Sequence, residues 1–284
     1  MSGQPCIGAH LAIGKGLEHT ADEAVERGLE ALQLFLRNPR GSRARQFREE
    51  ELRYFNAKMQ DNAINPVVAH VPYTCNPAAA KDRIYRYALQ VIMEDLERCQ
   101  LINADYLVLH PGSYTASSPA EGIEKISNLL NRVLFKYGGE TLILLETMSG
   151  QGTEIGGTFD ELDQILRKVE NQDKIGICFD TCHTYAAGYD CTTLEGISRI
   201  LREMDNTFGR EKVKLVHAND SAKELGSRRD RHAHIGEGFI GEAGFKQLFA
   251  DVFFHQLPFI LETPLDKLDQ DLNVLKKIRE SCLL

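Results

Sequence analysis

Long apolar stretches are missing from this chain of 284 residues. No run approaches the roughly 20 residues that a membrane-crossing helix needs, so no spanning helix is expected. The N-terminal Met1-Ser2-Gly3-Gln4-Pro5 has no basic segment followed by an apolar core. A signal peptide is therefore not expected, and the reading is a cytoplasmic protein. The 7 cysteines are odd in number and scattered. Cys178 and Cys182 form the one close pair, and no second Cys or His pair stands at zinc-finger distance from them. Reduced, buried thiols are expected rather than a disulfide framework. Proline-, glycine- or serine-rich linkers and low-complexity tracts are also missing, which argues for one domain over 1–284.

Three nucleotide and hydrolase signatures fail in detail. Gly150-Gln151-Gly152-Thr153-Glu154-Ile155-Gly156 follows an apolar run but has the wrong spacing for a dinucleotide fingerprint. The stretch from Gly8 to Lys15 has one residue too many between its glycines for a phosphate loop, and Gly16 stands where Ser or Thr belongs. There is no Gly-x-Ser-x-Gly elbow. An excess of positive charge is lacking too: the net charge is −8, which argues against indiscriminate binding of nucleic acid.

What the chain does have is a recurring unit. Apolar, β-branched runs occur at 6–11, 31–36, 66–71, 106–110, 141–146, 175–180, 213–217 and 258–262. Most are continuously apolar rather than alternating, as expected of strands covered on both faces of a parallel sheet. Amphipathic stretches lie between them at 79–100, 121–136, 158–169, 192–204, 244–253 and 266–278. The fifth run is followed by Thr158-Phe159-Asp160-Glu161, a capping-box pattern. Eight such units predict an α/β protein of the (β/α)8 TIM-barrel type, with its active site at the carboxyl ends of the strands.

Those ends carry a repeated chemistry. The sixth run ends at Asp180, with His183 three residues on, a hard oxygen and a borderline nitrogen that suit Zn2+ or Mn2+. An aspartate at this point also suits a cap of the next turn. The same grammar gives His70 at the third run, His110 at the fourth, Glu146 at the fifth, His217 at the seventh and Glu262 at the eighth. The long segment after the seventh run adds Asp230 and His232. Five imidazoles and four carboxylates converging on one rim would be costly to bury without metal between them. If one carboxylate bridges, the set accommodates three metals. His10, His19, His234 and His255 read as structural or surface residues. Two arginine-rich stretches, Arg37, Arg40, Arg43, Arg45 and Arg48, then Lys223, Arg228, Arg229 and Arg231, suit either phosphate contacts or a solvated face.

These motifs resemble the endonuclease IV family, the zinc-dependent apurinic/apyrimidinic endonucleases of base excision repair. The resemblance runs over nearly the whole chain and rests on Ala69-His70-Val71-Pro72-Tyr73, Leu109-His110-Pro111-Gly112, Leu145 to Gly152, Asp180-Thr181-Cys182-His183, His217-Ala218-Asn219-Asp220, Asp230-Arg231-His232 and Leu261-Glu262-Thr263. It implies a first zinc on His70, His110 and Glu146, a second on Glu146, Asp180, His217 and Glu262, and a third on His183, Asp230 and His232. It further implies that Glu146 and Glu262 are catalytic and that duplex DNA with abasic sites is the substrate of a monomeric enzyme. Cleavage 5′ to the abasic site would leave a 3′-hydroxyl and a 5′-deoxyribose phosphate, with removal of 3′-blocking groups expected too. Arg40 and Tyr73 match positions that fill or open the base stack, and Arg231 is a further expected DNA contact. Thr74 stands where an aliphatic wedge is common in the family, and Gly41 and Ser42 replace bulkier residues of some relatives.

Two other readings stay open on the residues. A sugar isomerase or epimerase on a similar barrel also uses Glu, Asp and His at strand ends, but needs one or two metals and no Asp230-Arg231-His232 loop. A non-catalytic binder of damaged DNA would not need a bridged pair of metals.

Overall fold

A computed structural model describes residues 4–39 and 44–282. All eight expected strands are present and close into a parallel barrel. Seven are β1 (Ile7–Leu11), β2 (Ala31–Phe35), β3 (Val67–His70), β4 (Tyr106–Leu109), β5 (Leu142–Glu146), β6 (Ile175–Asp180) and β7 (Val213–His217). A separate hairpin of β8 (Asp220–Ser221) and β9 (His232–Ala233) follows, and the eighth barrel strand is β10 (Phe259–Leu261). Neighbouring barrel strands pair in chain order, and β10 closes the ring by pairing Phe259, Ile260 and Leu261 with Ile7, Gly8 and Ala9 of β1.

The helices α1 (Leu17–Glu26), α2 (Glu49–Asp61), α3 (Asp82–Leu101), α4 (Pro119–Lys136), α5 (Phe159–Lys168), α6 (Thr181–Ala187), α7 (Leu194–Asn206), α8 (Gly241–Ala250) and α9 (Leu268–Ser281) surround it. Six coincide with the expected amphipathic stretches. Three do not, for identifiable reasons. The buried face of α1 is Leu17, Thr20, Ala21 and Ala24, and small side chains leave a weak apolar period. On α2 the buried face includes Glu51, whose carboxylate takes a bidentate pair of bonds from Arg45 at 2.8 Å each. The short α6 is folded by its ends: Asp180 accepts the His183 N–H at 2.7 Å, and Gly188 closes it at φ 112°. At α5, half of the expected capping box forms. Thr158 accepts the Glu161 N–H, but the Glu161 carboxylate turns to the N–H groups of Gly156 and Gly157 instead.

The inside of the barrel has two layers. Alternate residues of a strand share a face, so one inward residue is followed by the next two positions on. Ala31, Val68, Val108, Leu144, Cys178, Leu215 and Ile260 form a separate buried cluster, an apolar plug with one residue from each of seven strands. On β1 the corresponding place is Gly8, where a Cβ would run into the Ala31 carbonyl oxygen. Two residues further along each strand come His10, Gln33, His70, His110, Glu146, Asp180, His217 and Glu262. The plug thus supplies a dry floor, and the strand period delivers the polar ring immediately above it.

The long loop over 218–244 is ordered by one buried carboxylate. Asp220 accepts backbone N–H groups from Ser221, Gly236, Gly238, Ile240 and Gly241. The hairpin of β8 and β9 then turns His232 back over the ring. All 7 cysteines are free thiols. No helix among the described residues is long and apolar enough to cross a membrane.

Candidate metal centre

Glu146, fully buried at the end of β5, is the hub. Its Oε2 lies 2.9 Å from His70 Nε2 and 3.2 Å from His110 Nε2. Its Oε1 lies 3.1 Å from His217 Nδ1 and 3.3 Å from His183 Nδ1. His217 Nδ1 also faces Glu262 Oε2 at 3.2 Å and Asp180 Oδ2 at 4.0 Å. Beyond these, Asp230 Oδ1 stands 3.3 Å from His183 Nε2 and 3.4 Å from His232 Nε2. Ligand-type atoms converge within 4.8 Å of one another in the sets His70, His110, Glu146; Glu146, Asp180, His217, Glu262; and His183, Asp230, His232. Two further sets, His70, His217, Glu262 and Asp180, Cys182, His232, meet the same limit, so the centre is a continuous cluster and not three separate pockets.

Outer hydrogen bonds fix which nitrogen faces inward in four of the five rings. His70 Nδ1 donates to the Val71 carbonyl at 2.6 Å and His183 Nδ1 to that of Thr147 at 3.0 Å. His217 Nε2 donates to Gln33 Oε1 at 2.8 Å, and His232 Nδ1 points to the Glu262 carbonyl at 3.4 Å. In a neutral ring the other nitrogen carries a lone pair, and in His70 and His217 that lone pair faces a carboxylate. This is the arrangement of metal-ligating histidines, in which one nitrogen is anchored and the other left for a cation. The buried Nε2 atoms of His183 and His232 have no hydrogen-bond partner among the described residues. The donor set of imidazoles and carboxylates therefore fits divalent metal.

Without a cation the groups compensate one another. Burial alone would raise Glu146, but His217 and His110 hold its carboxyl well below the usual range. Burial likewise acts against the charged forms of His183 and His217, yet both are raised well above the ordinary imidazole value by the groups around them, Asp180 first for His183, and the Cys178 thiol with the Glu262 and Glu146 carboxylates for His217. Asp230 is brought down to about 2, burial being outweighed by His183. Asp180 goes the other way: desolvation pushes it up despite His183 and His232. A cation would take the place of the protons that the histidines otherwise hold.

Residues that sequence reasoning missed complete the ring. Gln33, fully buried, bonds His217, Glu262 and His10 at once. Asn219 donates to Asp180 Oδ2 at 2.6 Å and accepts the Glu262 N–H at 3.0 Å. Thr147 takes the Asp180 N–H at 2.9 Å. His10, read from the sequence as structural or surface, lies against Phe35, with ring centroids 4.4 Å apart, and receives a Gln33 amide hydrogen. The signal for Gln33 and His10 was present in the strand period, two places beyond Ala31 and Gly8.

The centre opens into a groove of about 860 Å3 whose walls include Ile13, Phe35, Pro39, Tyr73 and Leu265. Tyr73 is half-exposed on the rim. Thr74 ties its loop to the preceding one through a bond to the Pro39 carbonyl at 3.3 Å. Arg40, Gly41, Ser42 and Arg43 lie outside the described residues. The rest of the first arginine cluster is occupied within the protein: Arg37 is buried against Asp95 and Glu94, Arg45 grips Glu51, and Arg48 pairs with Glu18. In the second cluster Arg228, Arg229 and Arg231 are exposed and make no ion pair among the described residues. Arg231 lies between Asp230 and His232 in sequence, and among the described residues its side chain bonds only the Asp230 carbonyl.

A closed barrel with this polar ring defines a class, and residues 21–281 match the family described as xylose isomerase-like TIM barrel. The chain is 40% identical over 277 residues to the probable endonuclease 4 of Clostridium beijerinckii, covering 97% of this chain and 99% of that one. Its fold superposes on the crystal structure of endonuclease IV from Thermus thermophilus with a TM-score of 0.86 and 34% identity, covering 98% and 100% of the two chains. The chain belongs to the endonuclease IV family of apurinic/apyrimidinic endonucleases, and is accordingly an enzyme. A D-tagatose 3-epimerase-like protein has a TM-score of 0.70 at 19% identity, which is a likeness of fold alone.

Proposed function

We propose that this enzyme hydrolyses the phosphodiester 5′ to an abasic site in duplex DNA, leaving a 3′-hydroxyl and a 5′-deoxyribose phosphate, and that it also removes 3′-blocking groups. The observation that carries the reading is the convergence of the nine side chains into the three sets around Glu146. His70, His110 and Glu146 would hold one zinc; Glu146, Asp180, His217 and Glu262 a second; His183, Asp230 and His232 a third, with Mn2+ an alternative at one position. Zinc held there supplies a lowered pKa for attacking water and positive charge for the phosphate and leaving oxygen.

The chain's own groups do the rest. Glu146 and Glu262, the two proposed catalytic carboxylates, keep the centre from carrying excess positive charge, so that the substrate phosphate is attracted without being trapped. The apolar plug beneath excludes water from below, which strengthens every charge interaction above it. Tyr73 on the rim would stack in the gap left by an extruded abasic nucleotide, a role we also assign to Arg40. Arg231 and its exposed neighbours would take phosphates. We take the chain to act as a single TIM-barrel domain, as a monomer, in the cytoplasm.

Incubation with a duplex oligonucleotide carrying one abasic site, with and without a chelator, tests the reading. A single incision whose upstream end is a polymerase-extendable 3′-hydroxyl, lost on chelation and restored by zinc, is the expected result. An intact duplex at saturating zinc would refute it.

A further inference from the structure

Gln33 is the one side chain of the eight in the polar ring that is neither a carboxylate nor an imidazole, and it sits on a strand that supplies none of the nine grouped residues. It is fully buried in the middle of β2. An amide there without partners would cost on the order of 1–3 kcal/mol per unmet group. It has no unmet group: both amide hydrogens and the carbonyl oxygen are used. Nε2 donates to Glu262 Oε1 at 2.5 Å and to His10 Nδ1 at 3.0 Å, while Oε1 accepts from His217 Nε2 at 2.8 Å.

We propose that Gln33 is a positioning residue of the metal centre, fixing the tautomer of His217 and making Glu262 a one-oxygen ligand. The inference rests on the metal reading above. Two consequences follow from the bonding. With its Nε2–H committed to Gln33, His217 must present the Nδ1 lone pair to the place enclosed by Glu146, Asp180 and Glu262. With Oε1 of Glu262 held by the Gln33 amide at 2.5 Å, Oε2, 3.2 Å from His217 Nδ1, is the oxygen turned to the same place. Asn219, which also reaches toward Glu262 Oε2 at 3.5 Å and binds its backbone N–H, holds the carboxylate from the opposite side. His10 completes the clamp: accepting one amide hydrogen, it prevents the Gln33 amide from flipping, since a flipped amide would set its oxygen against both the Glu262 carboxylate and the His10 lone pair.

The test reads metal, not turnover. Wild-type protein, Gln33→Met, Gln33→Glu and Leu32→Ala are loaded with zinc. Each is assayed for zinc per chain by elemental analysis and for its rate of zinc release to a colorimetric chelator. Gln33→Met keeps the volume and removes all three bonds. Gln33→Glu keeps the acceptor for His217 but, ionised, cannot donate to Glu262. Leu32→Ala opens a cavity on the outward face of the same strand. The expected result is that one zinc of the set leaves roughly 10–100-fold faster from both Gln33 variants, as for other outer partners of metal ligands. Leu32→Ala should lower the melting temperature with its zinc release unchanged. Zinc release from Gln33→Met at the wild-type rate would overturn the inference while leaving the metal reading intact, and so would equal acceleration in Leu32→Ala. Wild-type protein that takes up no zinc would overturn both.

Discussion

The two layers inside the barrel are buried alike and differ in what their burial requires. Leu144 and Glu146 are two residues apart on β5, and neither is exposed at all. Leu144 needs only neighbours that exclude water. Glu146 needs opposite charge, and four histidines crowd around it to supply that. The lower layer is complete as it stands. The upper layer sets imidazoles against carboxylates, a donor set that fits a divalent cation. A barrel can carry such a layer because the plug and its covering helices supply the stability that the ring does not.

Substituting one member of each layer should separate the two roles. Glu262→Gln keeps shape and removes a negative charge from the ring. We expect cleavage of abasic duplex to fall by more than about 100-fold, since losing an outer partner alone costs that order, while circular dichroism stays at the wild-type signal. Leu144→Ala should do the reverse, costing about 2–5 kcal/mol of stability through a cavity in the plug while zinc per chain is retained. The contrast between layers breaks if Glu262→Gln turns over at a near-normal rate at saturating zinc, or if Leu144→Ala folds normally but holds no metal.

How far this was legible in the sequence follows from the same contrast. Apolar runs of strand length revealed the barrel, because a strand covered on both faces has little freedom in composition. The nine charged or imidazole residues at strand ends were visible because their types are rare at such positions. Gln33 was not singled out and His10 was read as structural or surface, since a lone polar residue in an apolar run says nothing until the inward face is known. Helices α1 and α2 escaped because their buried faces use alanine, threonine and a paired glutamate. The first arginine cluster stayed open between phosphate contacts and a solvated face because sequence shows the guanidinium and not Asp95, Glu51 or Glu18 opposite Arg37, Arg45 and Arg48.

Titration sharpens the contrast next, with a smaller effect. In metal-free protein His183 and His217 are raised above the unfolded value of about 6.5. Their contribution is therefore complete below about pH 6.5 and is lost as pH rises through their folded values. Asp230, lowered to about 2, contributes fully above an unfolded value of about 3.9 and loses that as pH falls toward its folded value. These three groups thus make metal-free protein lose stability as pH rises above about 6.5 and as it falls below about 4. Zinc-loaded protein should run the other way above about pH 6, because ligation requires deprotonated imidazole. Melting curves of both forms from about pH 4 to 9 check this, and two parallel profiles would mean that the ring does not hold metal.

The smallest expected effect lies on the rim, where the distinction between satisfied and waiting charge recurs. Arg45 and Arg48 have carboxylate partners within the protein, and Arg37 is buried against two. Arg228, Arg229 and Arg231 are exposed beside the hairpin that carries His232, with no ion pair among the described residues. A guanidinium already paired gains little from a phosphate, since the internal partner must first be given up. A free one releases a condensed counterion from DNA for each phosphate it neutralises, contributing about 0.9 to the slope of log affinity against log salt. Arg229→Ala and Arg231→Ala should therefore each lower that slope by up to about one unit on abasic duplex, and nearly equally on intact duplex, because a phosphate contact carries no sequence or lesion information. Arg48→Ala should leave the slope unchanged and alter stability by less than about 1 kcal/mol, as for an exposed pair. Tyr73→Ala supplies the complementary measurement, expected to weaken binding to abasic duplex more than to intact duplex without moving the salt slope. If Arg48→Ala lowers the slope as much as Arg231→Ala, then the internal pairing of the first cluster does not survive contact with DNA, and the division of the rim into satisfied and waiting charge fails.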